Sequence, residues 1–543
     1  MHDNPLLDRL RRRSSSIENH LIDEVRSGRL SRREFLRAAS VVGIGLPLAS
    51  AVVARSAAAL PMSTAATRLR SLRIATATPG DHLDPLTIAT DPGVLVVGQS
   101  GEYLTWSNDR LQLEPRLGTS WKPNTNATEW TFAIRKGVKF HNGRTLTADD
   151  VVATFDRLTD PASAGAAWGA FRGILTKGAT RKVDAYTVTF GLDAAYGNFP
   201  YLVSSDNASA VILPRDYAGD WAKTFVGTGP WIRTDYKPGL GVTYKRNTAY
   251  WDRARIPRFD AMVVTFSADE LSAIRLLQTG QVDGVASVSA ATAPMLTGDP
   301  AVVLQSLRTS SHRQIHLRND GVFGDRRVRQ AFALALDRDA IVASVLGGKG
   351  DVGNDSPFAP AFASTDSTVA QRRNDLAKAR QLMKDAGLEG GFDVQLDSWP
   401  GLEIPALVPK LQAAARLIDV TVRPNLSPDY YNNAWLDSSM GITDYRHRGA
   451  PNDVLWSTLR SDGIRNAARY RSPAYDALVN QYTAALDIAS QRATASKIEA
   501  LLIEDTPVVI PYFLNRMTAV RRGIAGVRAT GAGHLDAAAA VSA

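Results

Sequence analysis

The chain of 543 residues contains no cysteine. Disulfide bridges, thiolate metal sites, cysteine nucleophiles and a lipid-bearing N-terminal cysteine are therefore excluded. Beyond residue 59 no apolar run reaches the roughly 20 residues that a membrane-spanning helix needs. Short catalytic signatures are missing too: there is no Gly-x-Ser-x-Gly, Ser-x-x-Lys, His-Glu-x-x-His or phosphate-loop pattern. There is no internal repeat, and low complexity is confined to the alanine-rich tail after Asp536. Excess charge is scarce as well. The net charge is +9, and residues 1–59 hold 10 Lys or Arg against 6 Asp or Glu, leaving 53 against 48 for the rest. So small a surplus over so long a chain is a solvated surface, not a nucleic-acid footprint.

What is present begins with an address. Ser31-Arg32-Arg33-Glu34-Phe35-Leu36-Arg37 precedes an uncharged stretch over residues 38–54, and Ala57-Ala58-Ala59 offers a small-residue site for cleavage after Ala59. Basic segment, apolar segment and small-residue site in that order describe a signal peptide covering residues 1–59. Paired arginines followed by Phe35 and Leu36 resemble the twin-arginine signal, which implies the twin-arginine translocase as export partner and the periplasm as destination. An uncleaved anchor is the competing reading.

The remaining length is enough for two or three domains. Trp130, Phe132 and Ile134 alternate with polar residues and predict a half-buried strand, as do Tyr186, Val188, Phe190 and Leu192. His141-Asn142-Gly143 is a turn, and Thr147 caps a helix whose positive first turn holds Asp149 and Asp150. Leu271, Ile274 and Leu277 share a helical face that ends before Gly280, Asp337 caps another helix that Gly347-Gly348 closes, and Ser472-Pro473 opens a third. Strands and helices interleave throughout, so the fold class is α/β.

Several separated blocks then carry a resemblance. Leu113-Glu114-Pro115-Arg116-Leu117, Ser120-Trp121, Trp130-Thr131-Phe132, the run from Ile134 through Gly143, and Leu146-Thr147-Ala148-Asp149-Asp150-Val151 resemble the signature of the family 5 extracellular solute-binding proteins. Leu83-Asp84-Pro85, Gly227-Thr228-Gly229-Pro230-Trp231, Arg246-Asn247 with Tyr250-Trp251, Arg327-Val328-Arg329-Gln330-Ala331 with Asp337-Arg338, and Ala377-Lys378-Ala379 with Ala386-Gly387 follow in the family's order. Trp231 stands where the family more often has tyrosine, and the match loosens after Ser398. The resemblance implies a type II periplasmic-binding-protein fold: two lobes, an extra inserted subdomain and a ligand crevice between the lobes. Lobe I would comprise residues 60–112, 223–307 and 513–543, the inserted subdomain 113–222, and lobe II 308–512. It also implies a monomer that takes a peptide-like ligand to the permease subunits of an ABC importer, with no catalysis and no cofactor. Opines, oligosaccharides, glutathione-like compounds and nickel are other cargoes of the family.

Candidate ligand residues cluster after the loosening. The resemblance implies that Asp444, in Thr443-Asp444-Tyr445, pairs with a ligand ammonium, with Tyr445 beside it. The plain alternative is an aspartate that caps a turn. Arg446, His447 and Arg448 offer partners for a carboxylate or, equally, form a solvated loop face. Trp399, Trp435 and Trp456 are either crevice aromatics or core. His312 and His316 share a strand face, but without a third ligand they make a poor metal site. An exported hydrolase, or a sensor or chaperone on the same fold, remains the rival class, because two carboxylates joined by folding suffice for acid–base work.

Overall fold

The computed structural model describes residues 70–80, 83–88, 90–163, 166–219 and 221–542; Arg32, Arg33, Phe35, Leu36 and the cleavage site after Ala59 lie outside them. Fourteen strands matter for the site. They are β1 (Ser71–Ala77), β2 (Gly118–Pro123), β3 (Glu129–Ile134), β4 (Thr180–Asp184), β5 (Thr187–Gly191), β6 (Trp231–Lys237), β7 (Gly241–Arg246), β8 (Ala261–Ser267), β9 (Gly284–Val288), β10 (Val302–Leu317), β11 (Phe392–Ser398), β12 (Val420–Leu426), β13 (Met440–Tyr445) and β14 (Tyr512–Arg521).

Ten of them form one sheet in the spatial order β12-β11-β13-β10-β14-β9-β1-β8-β7-β6, completed to twelve by the short strands Gly350–Val352 and Val508–Val509. Parallel neighbours require a crossover, and at each end of the sheet the chain supplies a helix for one. Glu270–Gln278 links β8 to β9, both parallel to β1. Ile404–Arg416 links the parallel pair β11 and β12. Between these two ends the sheet is antiparallel and hangs on the 16 residues of β10. Its first half, Val302 to Arg308, pairs with β14, while His312 to Leu317 pairs with β13, and the register shifts between Arg308 and His312. A bulge there bends and twists the strand.

A separate antiparallel sheet runs β2-β3-β5-β4. Trp130, Phe132 and Ile134 point inward together with Val188 and Phe190, as their alternation predicts. Phe190 meets Phe155 edge to face at 4.9 Å, seating the helix Ala148–Leu158, with its apolar stripe, on this sheet. Asp150 does more than complement the helix dipole. Fully buried, it accepts from the Thr147 N–H at 2.9 Å, the Arg215 N–H at 2.9 Å and Arg144 at 2.7 Å.

Other signature residues also serve the fold. Glu102 is buried and accepts from Tyr250 at 2.6 Å, Trp251 at 2.7 Å and Thr228 at 2.9 Å. Burial raises its pKa despite these three donors. Gly227 is a close-approach glycine: a Cβ there would stand 1.8 Å from the Ser100 carbonyl oxygen. The caps fall where the sequence puts them. Asp337 accepts from the Ala340 N–H ahead of Arg338–Leu346, and Ser472 from the Tyr475 N–H ahead of Pro473–Ala484. Among the described residues no helix is long and apolar enough to cross a membrane.

Candidate functional site

A cavity of about 680 Å³ opens where three stretches of chain converge. One wall is Gly169 to Ile174 and Tyr196 to Ser209; the opposite wall is Arg446 to Asp453 with Trp456 to Arg465; Asp91, Val94 and Gly531 close a third side. That size suits a small organic ligand. The two main walls touch. The Asn198 amide donates to Asn452 Oδ1 at 2.8 Å, and Gln491 donates to Asn198 Oδ1 at 3.1 Å.

Charges on these walls are mostly paired. Asp91 opens the helix Asp91–Ser100, accepts from Arg516 at 2.5 Å and lies 3.7 Å from Arg446. Burial alone would raise its pKa, but the two arginines hold it below the usual carboxylate range. Asp453 behaves alike: burial opposes its charge, and Arg448 at 3.1 Å with Arg465 at 3.4 Å outweighs it. Trp456 donates its indole N–H to Thr483 at 3.0 Å, and Arg460 lies 4.1 Å over its ring.

His447 departs from the solvated-loop reading. It is buried, its Nδ1 accepts the Ser310 N–H at 3.1 Å, and its Nε2 faces Asp206 Oδ1 at 3.7 Å. Burial, aided by Arg448 and Arg516, pushes its pKa down to about 3, so the ring is neutral.

Of the residues singled out in the sequence, Arg446, His447, Arg448 and Trp456 line the cavity, whereas Asp444, Tyr445 and Trp399 do not. These three sit together at the ends of β11 and β13. Asp444 accepts the Trp399 indole N–H at 2.8 Å and the Tyr431 hydroxyl, and it lies opposite Arg313 in the β10–β13 register. Arg313 is buried and bonds Glu403 at 2.8 Å; burial opposes its charge, but Glu403 and Asp444 keep its pKa above the usual value. Tyr445 is buried against His312, ring centroids 5.3 Å apart. His312 and His316 are both buried, and burial pushes each down to about 4, so their shared face is packing. Sequence reasoning passed over Asp91, Asn198, Asp206 and Asn452, whose partners are up to hundreds of residues away.

Residues 112–426 match the family model described as bacterial extracellular solute-binding proteins, family 5 middle. The chain belongs to that family. Among curated relatives, heme-binding protein A of Haemophilus influenzae is 28% identical over 442 residues, covering 74% of this chain and 78% of that protein. Di/tripeptide-binding protein 1 of Pseudomonas aeruginosa is 29% identical over 313 residues, 53% of this chain and 57% of that protein. The solved structure of HbpA2 from Haemophilus parasuis superposes with a TM-score of 0.78 at 21% identity, covering 87% of this chain and all of that one. The fold of this family 5 chain is thus that of the periplasmic solute-binding proteins, as its sequence blocks imply.

Proposed function

We propose that this family 5 protein is exported, captures a peptide-like ligand in the cavity between residues 169–209 and 446–465, and hands it to the permease of an ABC importer. The observation that carries this reading is the cavity wall itself: carboxylates and arginines both line a space of about 680 Å³, a combination that suits a zwitterion. The di/tripeptide-binding relative supports the ligand class. Arg446 is the proposed partner for a ligand carboxylate. The lobe boundaries implied by the sequence, with residues 113–222 inserted and 308–512 as lobe II, belong to the same proposal.

Binding without turnover is part of it. Ser310, His447 and Asp206 stand in the order of a hydrolytic triad, yet the serine is committed elsewhere. Its hydroxyl lies 3.2 Å from His447 Nδ1, but that nitrogen already accepts the Ser310 N–H, and the hydroxyl donates to the Arg448 carbonyl at 2.9 Å and accepts the Arg448 N–H at 2.8 Å. Mass spectrometry of material released from gently purified protein tests the assignment. Recovery of short peptides supports it, whereas a Soret band in the purified protein, matching the haem named for the Haemophilus relative, would replace it. Export by the twin-arginine route is the remaining element, motivated by Arg32-Arg33; normal periplasmic accumulation in a strain lacking that translocase would remove it.

A further inference from the structure

We propose that Asp206 seats the ligand's cationic group, a primary ammonium, at the cavity wall. The inference deepens, and rests on, the reading of this cavity as the ligand site. Other aspartates lining the space already have guanidinium partners: Asp91 has Arg516 and Arg446, Asp453 has Arg448 and Arg465, and Asp462 has Arg460 at 2.9 Å. Asp206 has none within ion-pair distance among the described residues. Its side chain is 6% exposed and its Oδ2 has no hydrogen-bond donor. The one basic side chain within 4 Å of it among the described residues is the His447 ring, whose Nε2 is itself buried without a partner.

A histidine could have supplied the missing charge, but this one is kept neutral. The Ser310 N–H occupies Nδ1, so the proton sits on Nε2, and protonating both nitrogens would break that bond. The Ser107 hydroxyl partly offsets the burial of Asp206 but adds no positive charge, Arg448 acts through space only, and the Tyr201 phenol adds no positive charge either. Burial pushes the Asp206 carboxyl up to about 6, so at neutral pH the group is charged and desolvated, with no cation in contact among the described residues. A buried carboxylate gains most from a cation that is itself desolvated and hydrogen-bonded, and an ammonium brings three donors. Sequence gives no warning of this, since Ser205-Asp206-Asn207 reads as an ordinary turn.

The test uses full-length mature protein, wild type and Asp206→Asn, with Asp235→Asn as a surface-charge control, titrated by calorimetry with trialanine, N-acetyl-trialanine and dialanine. Wild type should bind the free-amine peptides at least about tenfold more tightly than the acetylated one, and Asp206→Asn should erase that preference, by the cost of stripping a buried pair of one partner. Affinity of the wild type for the free amines should also fall below pH 6, while Asp206→Asn shows no such fall. Peptides bound alike with and without the acetyl group, or a preference that survives Asp206→Asn, overturn the assignment of Asp206 and leave the peptide reading standing. A wild type that binds none of the three overturns both. An Asp206→Asn protein that melts below the wild type but keeps the amine preference also overturns it, since the residue is then structural.

Discussion

Trp399 donates its indole N–H to Asp444 across 2.8 Å, and the Tyr431 hydroxyl converges on the same oxygen. Asp444 therefore orients two aromatic rings at the sheet end, with Arg313 opposite it as counter-charge. Replacing it by alanine should free Trp399, shift its fluorescence, and cost about 1–3 kcal/mol of stability for the donors left unpaired. N-acetylation of a peptide ligand should then weaken binding equally in wild type and Asp444→Asn. If the acetyl group penalises the wild type far more than the variant, Asp444 and not Asp206 holds the ammonium. The double-mutant comparison separates the two roles from general loop damage.

How much of this was readable in advance follows from the range of the interactions. Alternation over Trp130, Phe132 and Ile134, the caps at Asp337 and Ser472, and the blocks around Gly227 and Trp251 depend on neighbours in sequence or on packing that the whole family shares. The cavity does not. Asn198 meets Asn452 over a separation of 254 residues, and Asp206 meets His447 only because a loop after β13 folds back over β10. His447 looked like surface because its flanks, Arg446 and Arg448, are polar; its burial comes from tertiary contact alone. Trp399 and Trp456 were equivalent as letters, yet only Trp456 reaches the cavity.

Asp355 shows what a signature block is for. Its buried carboxylate takes two bonds from Arg338, each 2.8 Å, one from Arg372 at 2.7 Å and one from the Ile510 N–H at 3.0 Å. Asp355 also sits at φ 56°, a left-handed conformation that asparagine tolerates. Asp355→Asn thus keeps the backbone and isolates the charge. It should lower stability by on the order of 3–5 kcal/mol, because two arginines lose their buried counter-ion. Chemical denaturation measures it, and a loss under about 1 kcal/mol would show that water reaches the cluster.

Glu499, on the helix Ile488–Asp505, supplies a pH signature. It is 3% exposed with the Asp366 N–H at 3.4 Å, and burial pushes its carboxyl from 4.5 up to about 8. Between those values the unfolded chain gives up this proton while the folded one keeps it. Folding therefore binds a proton, and stability declines as pH rises through that window, by up to about 1.4 kcal/mol per pH unit. Glu499→Gln removes the titration. Its melting temperature should change less between pH 5 and 8 than that of the wild type, and the two should converge at low pH. Parallel profiles would mean that Glu499 ionises freely in the fold.

Gly449 lies where the two cavity walls meet. A Cβ on it would lie 1.9 Å from Asp206 Oδ2 and 2.5 Å from the Tyr201 ring, while its own backbone needs no unusual φ. Alanine is therefore compatible with each wall and incompatible with their present approach. In a binding protein that closes on its ligand, such a substitution penalises only the closed arrangement. Gly449→Ala should keep the melting temperature of the unliganded protein if that form is open, and should weaken ligand binding by roughly tenfold or more, the cost of shifting one side chain about an ångström in a packed contact. Small-angle scattering completes the argument. Ligand should shrink the radius of gyration of the wild type and leave Gly449→Ala nearly unchanged. Equal contraction in both would show that residues 201–206 and 449 are held together with or without ligand.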